Sequence, residues 1–295
     1  MATLRELKGR IASVASSEKI TGAMKMISSA KMHKAEGALK RLKPYRSCIE
    51  GIIANLLSSD ASFTSPLAEA RQVDSLTIVV LGSDDGLCGA YNVNLAKYLD
   101  ERIEDQRKRY GDKLQITLVP VGKKMAKAVA RYDENGSGIK VRIPEVNSKS
   151  EGKDVKAFLD SLQSEFLAGK TDAIDIVYMN YKSAGKQIAT IDRLMPLSTE
   201  TLTNGKNTAS GRPYIFEPDA QSIFSSVLPM YILSMTQEVF VENRASEQAA
   251  RVMAMQAAND NAKKLLDQLR LEFNKLRQQS ITTELLDIVG GQVRD

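Results

Sequence analysis

Between Pro229 and Gly290 the chain runs for about 60 residues without a glycine or a proline. At ~1.5 Å per residue, that interval predicts a helical rod roughly 90 Å long. A helix of this length does not fit inside one globular core, so the rest of the chain must be arranged around it. The predicted start is Glu217-Pro218-Asp219, where a proline suits the first turn and carboxylates meet the positive end of the helix dipole. Gly290-Gly291 supplies the C-terminal stop.

The rod changes character along its length. From Ala245 to Ala262 it is built of Ala, Ser, Met and Asn, side chains that let a second helix approach closely. Leu265, Leu269, Phe273 and Leu276 then continue an apolar stripe at steps of three and four, and Ile281, Leu285, Ile288 and Val289 carry it to the tip. The partner helix is at the other end of the sequence. Thr3 and Glu6 form a capping box ahead of Leu4, Leu7, Ile11 and Val14, and the pattern reaches about Ser58, with a kink expected at Pro44. Its stretch from Gly22 to Ala38 is again small-residue rich, so the two ends predict an antiparallel coiled coil. If both helices leave one body, Met24 lies near Arg251 to Met253 and Pro44 near Leu233. The first helix then runs out opposite Asn274. The apolar tip beyond it is marginal alone in water and implies a surrounding protein.

In the middle of the chain the hydrophobic period changes from helical to strand-like. After a linker from Asp60 to Asp74, strands are expected at Leu76 to Leu81, Gln115 to Val121, Ile139 to Ile143, Ile174 to Tyr181 and Ile188 to Leu197. Helices are expected at Val93 to Tyr110, Lys123 to Tyr132 and Gly152 to Leu167. Thr199 to Gly211 reads as a polar loop. The expected fold class is α/β: a Rossmann-like α/β domain at 75–216 between an N-terminal coiled-coil helix at 1–58 and a long C-terminal coiled-coil helix at 217–291.

Several function classes are disfavoured. No apolar run approaches ~18 residues, and the first residues lack secretory or transit character, which points to a cytosolic or peripheral membrane chain. Cys48 and Cys88 are far apart in sequence, and His33 is the single histidine, so neither a disulfide framework, a metal set nor a histidine-based catalytic group is suggested. The cluster Gly82-Ser-Asp-Asp-Gly86-Leu-Cys-Gly89 follows the first strand, where a Rossmann fold binds phosphate. Its spacing matches no nucleotide motif, and Asp84 and Asp85 repel phosphate, so a turn or docking role is favoured. Through Arg46 the first helix carries Lys8, Arg10, Lys19, Lys25, Lys31, Lys34, Lys40, Arg41 and Lys43 among others against Glu6, Glu18 and Glu36. This is a solvated face or a surface for an acidic protein; nucleic acid is disfavoured by the lack of aromatic interleaving.

The terminal motifs carry a specific likeness. Ile11-Ala-Ser-Val14, Lys19-Ile-Thr-Gly-Ala-Met24-Lys-Met26 and Ala30-Lys31-Met32 at the front, with Ala245-Ser-Glu-Gln-Ala-Ala-Arg251, Ala254-Met255, Ala258-Asn-Asp-Asn261, Asn274-Lys-Leu-Arg-Gln278, Ile281-Thr282, Glu284-Leu285 and Ile288-Val-Gly-Gly291 at the back, resemble the gamma subunit of F-type ATP synthase, the central rotor stalk. The turn Gly86-Leu-Cys-Gly89 followed by Asn92 is similar as well. Gly290-Gly291 stands where a Gly-Ala pair is common, Gly22 where Lys is frequent, and no cysteine-bearing insert for a thiol switch is present.

The resemblance implies a non-catalytic subunit without cofactor. Its helix pair would turn inside a ring of alternating alpha and beta subunits, with its tip in an apolar sleeve. Its base would bind the epsilon subunit and the membrane c-ring. The implied place is peripheral, on the cytoplasmic side of a bacterial plasma membrane, with catalysis in beta and torque coupled to proton flow. It further implies beta-subunit contacts at Arg277, Gln278, Thr282 and Glu284, a packing point at Met24 opposite Arg251, and membrane-ring contacts at Phe216 and Glu217 in the Tyr214 to Pro218 turn. For Glu217 a plain helix N-terminal charge is the alternative, and for Arg277 and Gln278 a solvated heptad face. A coiled-coil adaptor or an α/β enzyme using the Gly86 turn are the competing readings of the whole chain.

Overall fold

A computed structural model describes residues 3–57, 63–134, 138–197 and 216–292. In chain order the elements are α1 (Leu4–Leu57), β1 (Ser75–Leu81), α2 (Tyr91–Tyr110), β2 (Gln115–Val121), α3 (Lys123–Glu134), β3 (Ile139–Val141), α4 (Lys153–Leu167), β4 (Ala173–Ser183), β5 (Lys186–Met195) and α5 (Ala220–Gln292). Two compact units emerge, one of Met1–Ser29 with Arg251–Asp295 and one of Ala30–Ala250.

In the larger unit the strands form one sheet in the order β3-β2-β1-β4-β5. The first four strands are parallel and β5 returns antiparallel to β4. Four successive strands joined by helices can only be parallel, whereas the two residues between β4 and β5 permit only a hairpin. Strand alternation then creates two cores. Val79 and Leu81 of β1 face a layer made by α4, the basal turns of α1 (Ile49, Ile53, Leu56) and the first turns of α5 (Phe224, Leu228, Tyr231, Met235). Leu76, Ile78 and Val80 face α2 and α3 through Leu95, Leu99, Met125 and Val129.

Residues 63–74 are more than a tether. Phe63 stacks on Phe224 with ring centroids 5.1 Å apart, Thr64 exchanges hydrogen bonds with the Gln221 side chain, and Leu67 and Val73 are buried. The period-free composition of this segment hides a strap that covers the start of α5. The polar loop expected at Thr199 to Gly211 lies outside the described residues.

Both helix ends of α5 differ from expectation. Pro218 precedes the helix, and Asp219 caps it: its carboxylate accepts bonds from Ser222 N at 2.8 Å and Ser222 Oγ at 2.6 Å, which lower its pKa. A side chain that satisfies the free N–H groups of the first turn outranks the proline as the start signal. At the other end the helix continues through Gly290 and Gly291 to Gln292. The α1 start is as the sequence implied, with Thr3 N donating to Glu6 Oε2 at 2.9 Å and Glu6 N to Thr3 Oγ1 at 3.3 Å. That helix also continues through Pro44.

In the smaller unit the helices pair antiparallel. Asn259 Nδ2 donates to Glu18 O at 2.6 Å and to Thr21 Oγ1 at 3.2 Å, and a Cβ on Gly22 would stand 3.4 Å from that same Asn259 nitrogen. This register carries Met24 to the turn that follows Arg251. In the larger unit Ala35 and Leu39 pack with Ala245, and Arg46 reaches Glu238 at 3.0 Å, about one helical turn or more from the Pro44 and Leu233 pairing. The strap and the Asp219 cap set where α5 leaves the sheet, which end-counting along the sequence does not capture.

Candidate docking sites

At the carboxyl ends of β1 and β4 the strand order reverses direction, and in an open parallel sheet such a switch point is where a ligand crevice opens. Here α5 fills it. Asn243 Nδ2 donates to Gly82 O at 3.2 Å, and Asn243 Oδ1 accepts from Tyr91 OH at 2.6 Å and from Met179 N at 3.3 Å. Ser246 Oγ donates to Met179 O at 2.8 Å. These buried polar groups satisfy one another, so the helix is keyed to the sheet at the place where a dinucleotide fold would hold its cofactor. Nothing in the periodicity of α5 marks Asn243. The one available hint is a helix-weak polar residue two positions before the small-residue run.

The Gly82–Asn92 turn is likewise occupied by its own bonds. Asp84 accepts from Lys123 N at 3.0 Å and from Ser148 N and Oγ at 3.1 and 2.8 Å, tying the end of β1 to α3 and to the loop before α4. Asn92 bonds Ser83 through Oδ1 and Nδ2 at 3.1 and 2.7 Å. A Cβ on Gly82 would stand 2.5 Å from Met125 Cβ, so that glycine is demanded by strand-to-helix packing and not by phosphate approach. Leu87 projects from the turn at φ 63°, 62% exposed. Cys48 and Cys88 are free thiols, and no group of three metal-ligating side chains occurs among the described residues. His33 Nδ1 lies 2.9 Å from Glu36 Oε2, and Tyr181 OH also bonds Glu36, which holds that carboxyl below its ordinary range.

A charged cluster joins α1, β4 and α5 in the larger unit. Arg46 holds Glu50 at 2.8 Å and Glu238 at 3.0 Å and lies over the Tyr231 ring. Glu242, one turn beyond Glu238, is 6% exposed; burial and the Glu238 charge push its carboxyl up to about 7, against the opposing pull of Lys43, Lys182 and Arg46.

The second candidate site is the tip of α5. Leu269 is the last buried residue among those described, and past it the helix turns its apolar stripe outward: Leu285 is 58%, Leu286 66% and Ile288 63% exposed. Arg277, Gln278, Thr282 and Glu284 are all exposed here, with Thr282 Oγ1 donating to Gln278 O at 2.9 Å. The other residues singled out by sequence are placed differently. Met24 is half-buried, Arg251 is buried, Phe216 packs against the core beside Ile223 and Val227, and Glu217 is exposed. Tyr214 lies outside the described residues.

A family model described as ATP synthase matches residues 3–293. The ATP synthase gamma chain of Bacteroides thetaiotaomicron is 36% identical over 303 residues, covering 100% of both chains. That of Phocaeicola vulgatus is 37% identical over 293 residues, covering 99% of this chain and 100% of the relative. Among solved structures, a chain of the Euglena gracilis mitochondrial ATP synthase OSCP/F1/c-ring assembly in rotational state 3 superposes with a TM-score of 0.66 at 21% identity, covering 98% of this chain and 93% of that one. A chain of the rotor of the same enzyme in rotational state 1 gives 0.64 at 19% identity, covering 94% and 98%. At such identities the structural likeness is one of fold.

Proposed function

We infer the function from membership: this chain belongs to the ATP synthase gamma chain family, and its role is that of the central rotor stalk, carrying torque between a proton-driven c-ring and a hexamer of alpha and beta subunits. The observation that carries this reading is the contrast within α5. Asn243 and Ser246 key the helix to the sheet by buried hydrogen bonds, while its last turns present Ile281, Leu285 and Ile288 with nothing described to cover them. A helix gripped at one end and apolar at the other is suited to turn in a protein sleeve. Nucleotide chemistry then falls to the beta subunits, which the shaft biases through their conformational equilibria. The filled crevice at the sheet switch point supports a non-catalytic part.

In this role the sheet-bearing base binds the epsilon subunit and the c-ring, on the cytoplasmic side of a bacterial plasma membrane. No helix among the described residues is long and apolar enough to cross a membrane, in keeping with a peripheral attachment. Affinity purification of the tagged chain from its native membranes is expected to bring down two ATPase subunits, each in threefold excess over the tagged chain. Recovery of the chain without them, together with ATP turnover by the chain alone, would refute the reading.

Two placements follow. Glu217, exposed at the foot of α5, is assigned to the c-ring contact, while the packing of Phe216 against the core suits a supporting position. A cysteine at 217 is expected to crosslink to the ring subunit, and crosslinks confined to alpha or beta would remove the assignment. Met24 is assigned as a rotor packing point that must stay uncharged, because it is half-buried at the level of the turn of α5 that follows the buried Arg251. Met24→Lys is expected to lower the number of protons pumped per ATP with assembly largely preserved; an unchanged ratio would show the position to be neutral.

A further inference from the structure

In the larger unit a groove of about 430 Å³ runs between α1, α5 and the loop ahead of α4. Ala35, Ala38 and Leu42 of α1 and Phe240 and Val241 of α5 contribute its apolar surface, and Lys31, Lys34 and Arg41 contribute cations. The charges that line it include the buried Glu247 carboxylate of α5, which accepts from Gln248 Nε2 at 3.2 Å, and otherwise sort into two sets. On the loop side, Lys149 pairs with Asp85 at 3.0 Å, and Arg244 pairs with Glu151 and donates to Ser150 O at 3.0 Å. On the α1 side, Lys31, Lys34 and Arg41 make no ion pair with any described residue.

We propose that this groove binds a medium-chain amphiphilic carboxylate, with its hydrocarbon chain along Leu42, Phe240 and Val241 and its head group among Lys31, Lys34 and Arg41. The apolar surface alone would take a neutral body, and the cations alone would take any anion. Their union in one groove selects a molecule that is both. From Lys31 to Leu42 the helix advances about 16 Å, which suits an extended hydrocarbon chain, and the volume lies within the range of small-molecule sites. The inference stands on the groove itself and does not depend on the rotor reading.

The test is calorimetric titration of the full-length chain with dodecanoate below its micelle-forming concentration, while circular dichroism monitors the fold. Saturable binding of one molecule per chain is expected, two- to fourfold weaker for each methylene removed in the series to decanoate and octanoate. Dodecyl maltoside, which has the same chain and no charge, is expected not to compete. Charge reversal at the exposed cations, Lys31→Glu, Lys34→Glu and Arg41→Glu together, is expected to weaken binding at least tenfold with the fold intact, and Ala38→Trp, which fills the groove, to weaken it with the cations in place. Absence of saturable binding, equal affinity for the maltoside, or indifference to both variants would each overturn the proposal.

Discussion

Arg277→Ala combined with Gln278→Ala is expected to leave the rotor assembled with its partner subunits and to cut ATP hydrolysis by about 30-fold or more. Both side chains are exposed on α5 beyond Leu269, and Arg277 forms no ion pair with any described residue. Replacing them removes no ion pair or side-chain hydrogen bond among the described residues, and alanine is at least as good a helix former, so the stability of the chain should be unchanged. The loss then has to come from outside the chain. A guanidinium facing a loop carboxylate of a beta subunit would form a charge-assisted, bidentate bond, and the amide beside it both donates and accepts. Truncating one partner of such a dehydrated contact costs about 2–5 kcal/mol, and a cost of ~2 kcal/mol borne in one rotary state is already about 30-fold in rate. The measurement is assembly yield and steady-state hydrolysis for the single and double variants. Normal yield with full activity in the double variant would show that α5 does not speak to the catalytic subunits through these residues.

Glu242→Gln is expected to make the full-length chain more stable above pH 7 by about 3–4 kcal/mol while changing little below pH 5. The Glu242 carboxyl is pushed up to about 7 in the folded chain, against an ordinary value of 4.5, because it is buried and stands one turn from Glu238. Between those two pH values the folded chain binds the proton that the unfolded chain has released. Stability from this group is therefore complete below about 4.5, declines as pH rises through 7, and is flat above it, and each unit of difference is worth ~1.4 kcal/mol. Glutamine keeps the shape of the protonated form and removes the titration. Lys43, Lys182 and Arg46, which hold the charged form in place, stay in both proteins, so the difference between the two stability curves isolates Glu242. Urea unfolding of both proteins from pH 5 to pH 8 reads it directly. A difference curve without slope across that range would mean that the carboxyl stays ionised when folded.

The elements of this protein were legible in the sequence because each depends on neighbours within a few positions. Thr3 and Glu6 announce α1 by bonds that close over three residues, and short apolar runs bounded by turns mark β1 and β2 without reference to anything distant. The long middle of α5 follows from the interval without glycine or proline, although the helix also includes Pro229, Gly290 and Gly291, and the bare apolar tip follows from the stripe outlasting its partner helix. The matching small-residue zones sufficed for an antiparallel coil.

What tertiary structure alone decided is every feature that joins residues far apart in the chain. The strand order β3-β2-β1-β4-β5, the exit of α5 under the strap of residues 63–74, and the resulting helix register depend on packing that no local pattern encodes. Asn243 reaches Gly82, Tyr91 and Met179 only because α5 crosses the ends of β1 and β4, and Asp84 meets Lys123 and Ser148 only because the sheet brings three loops together. The same holds for the Glu242 proton and for the groove below Lys31, Lys34 and Arg41, whose properties come from burial and from charges on other elements. Local interactions are short in sequence and leave their mark there, whereas desolvation and hydrogen-bond matching are set by whatever the folded chain places nearby.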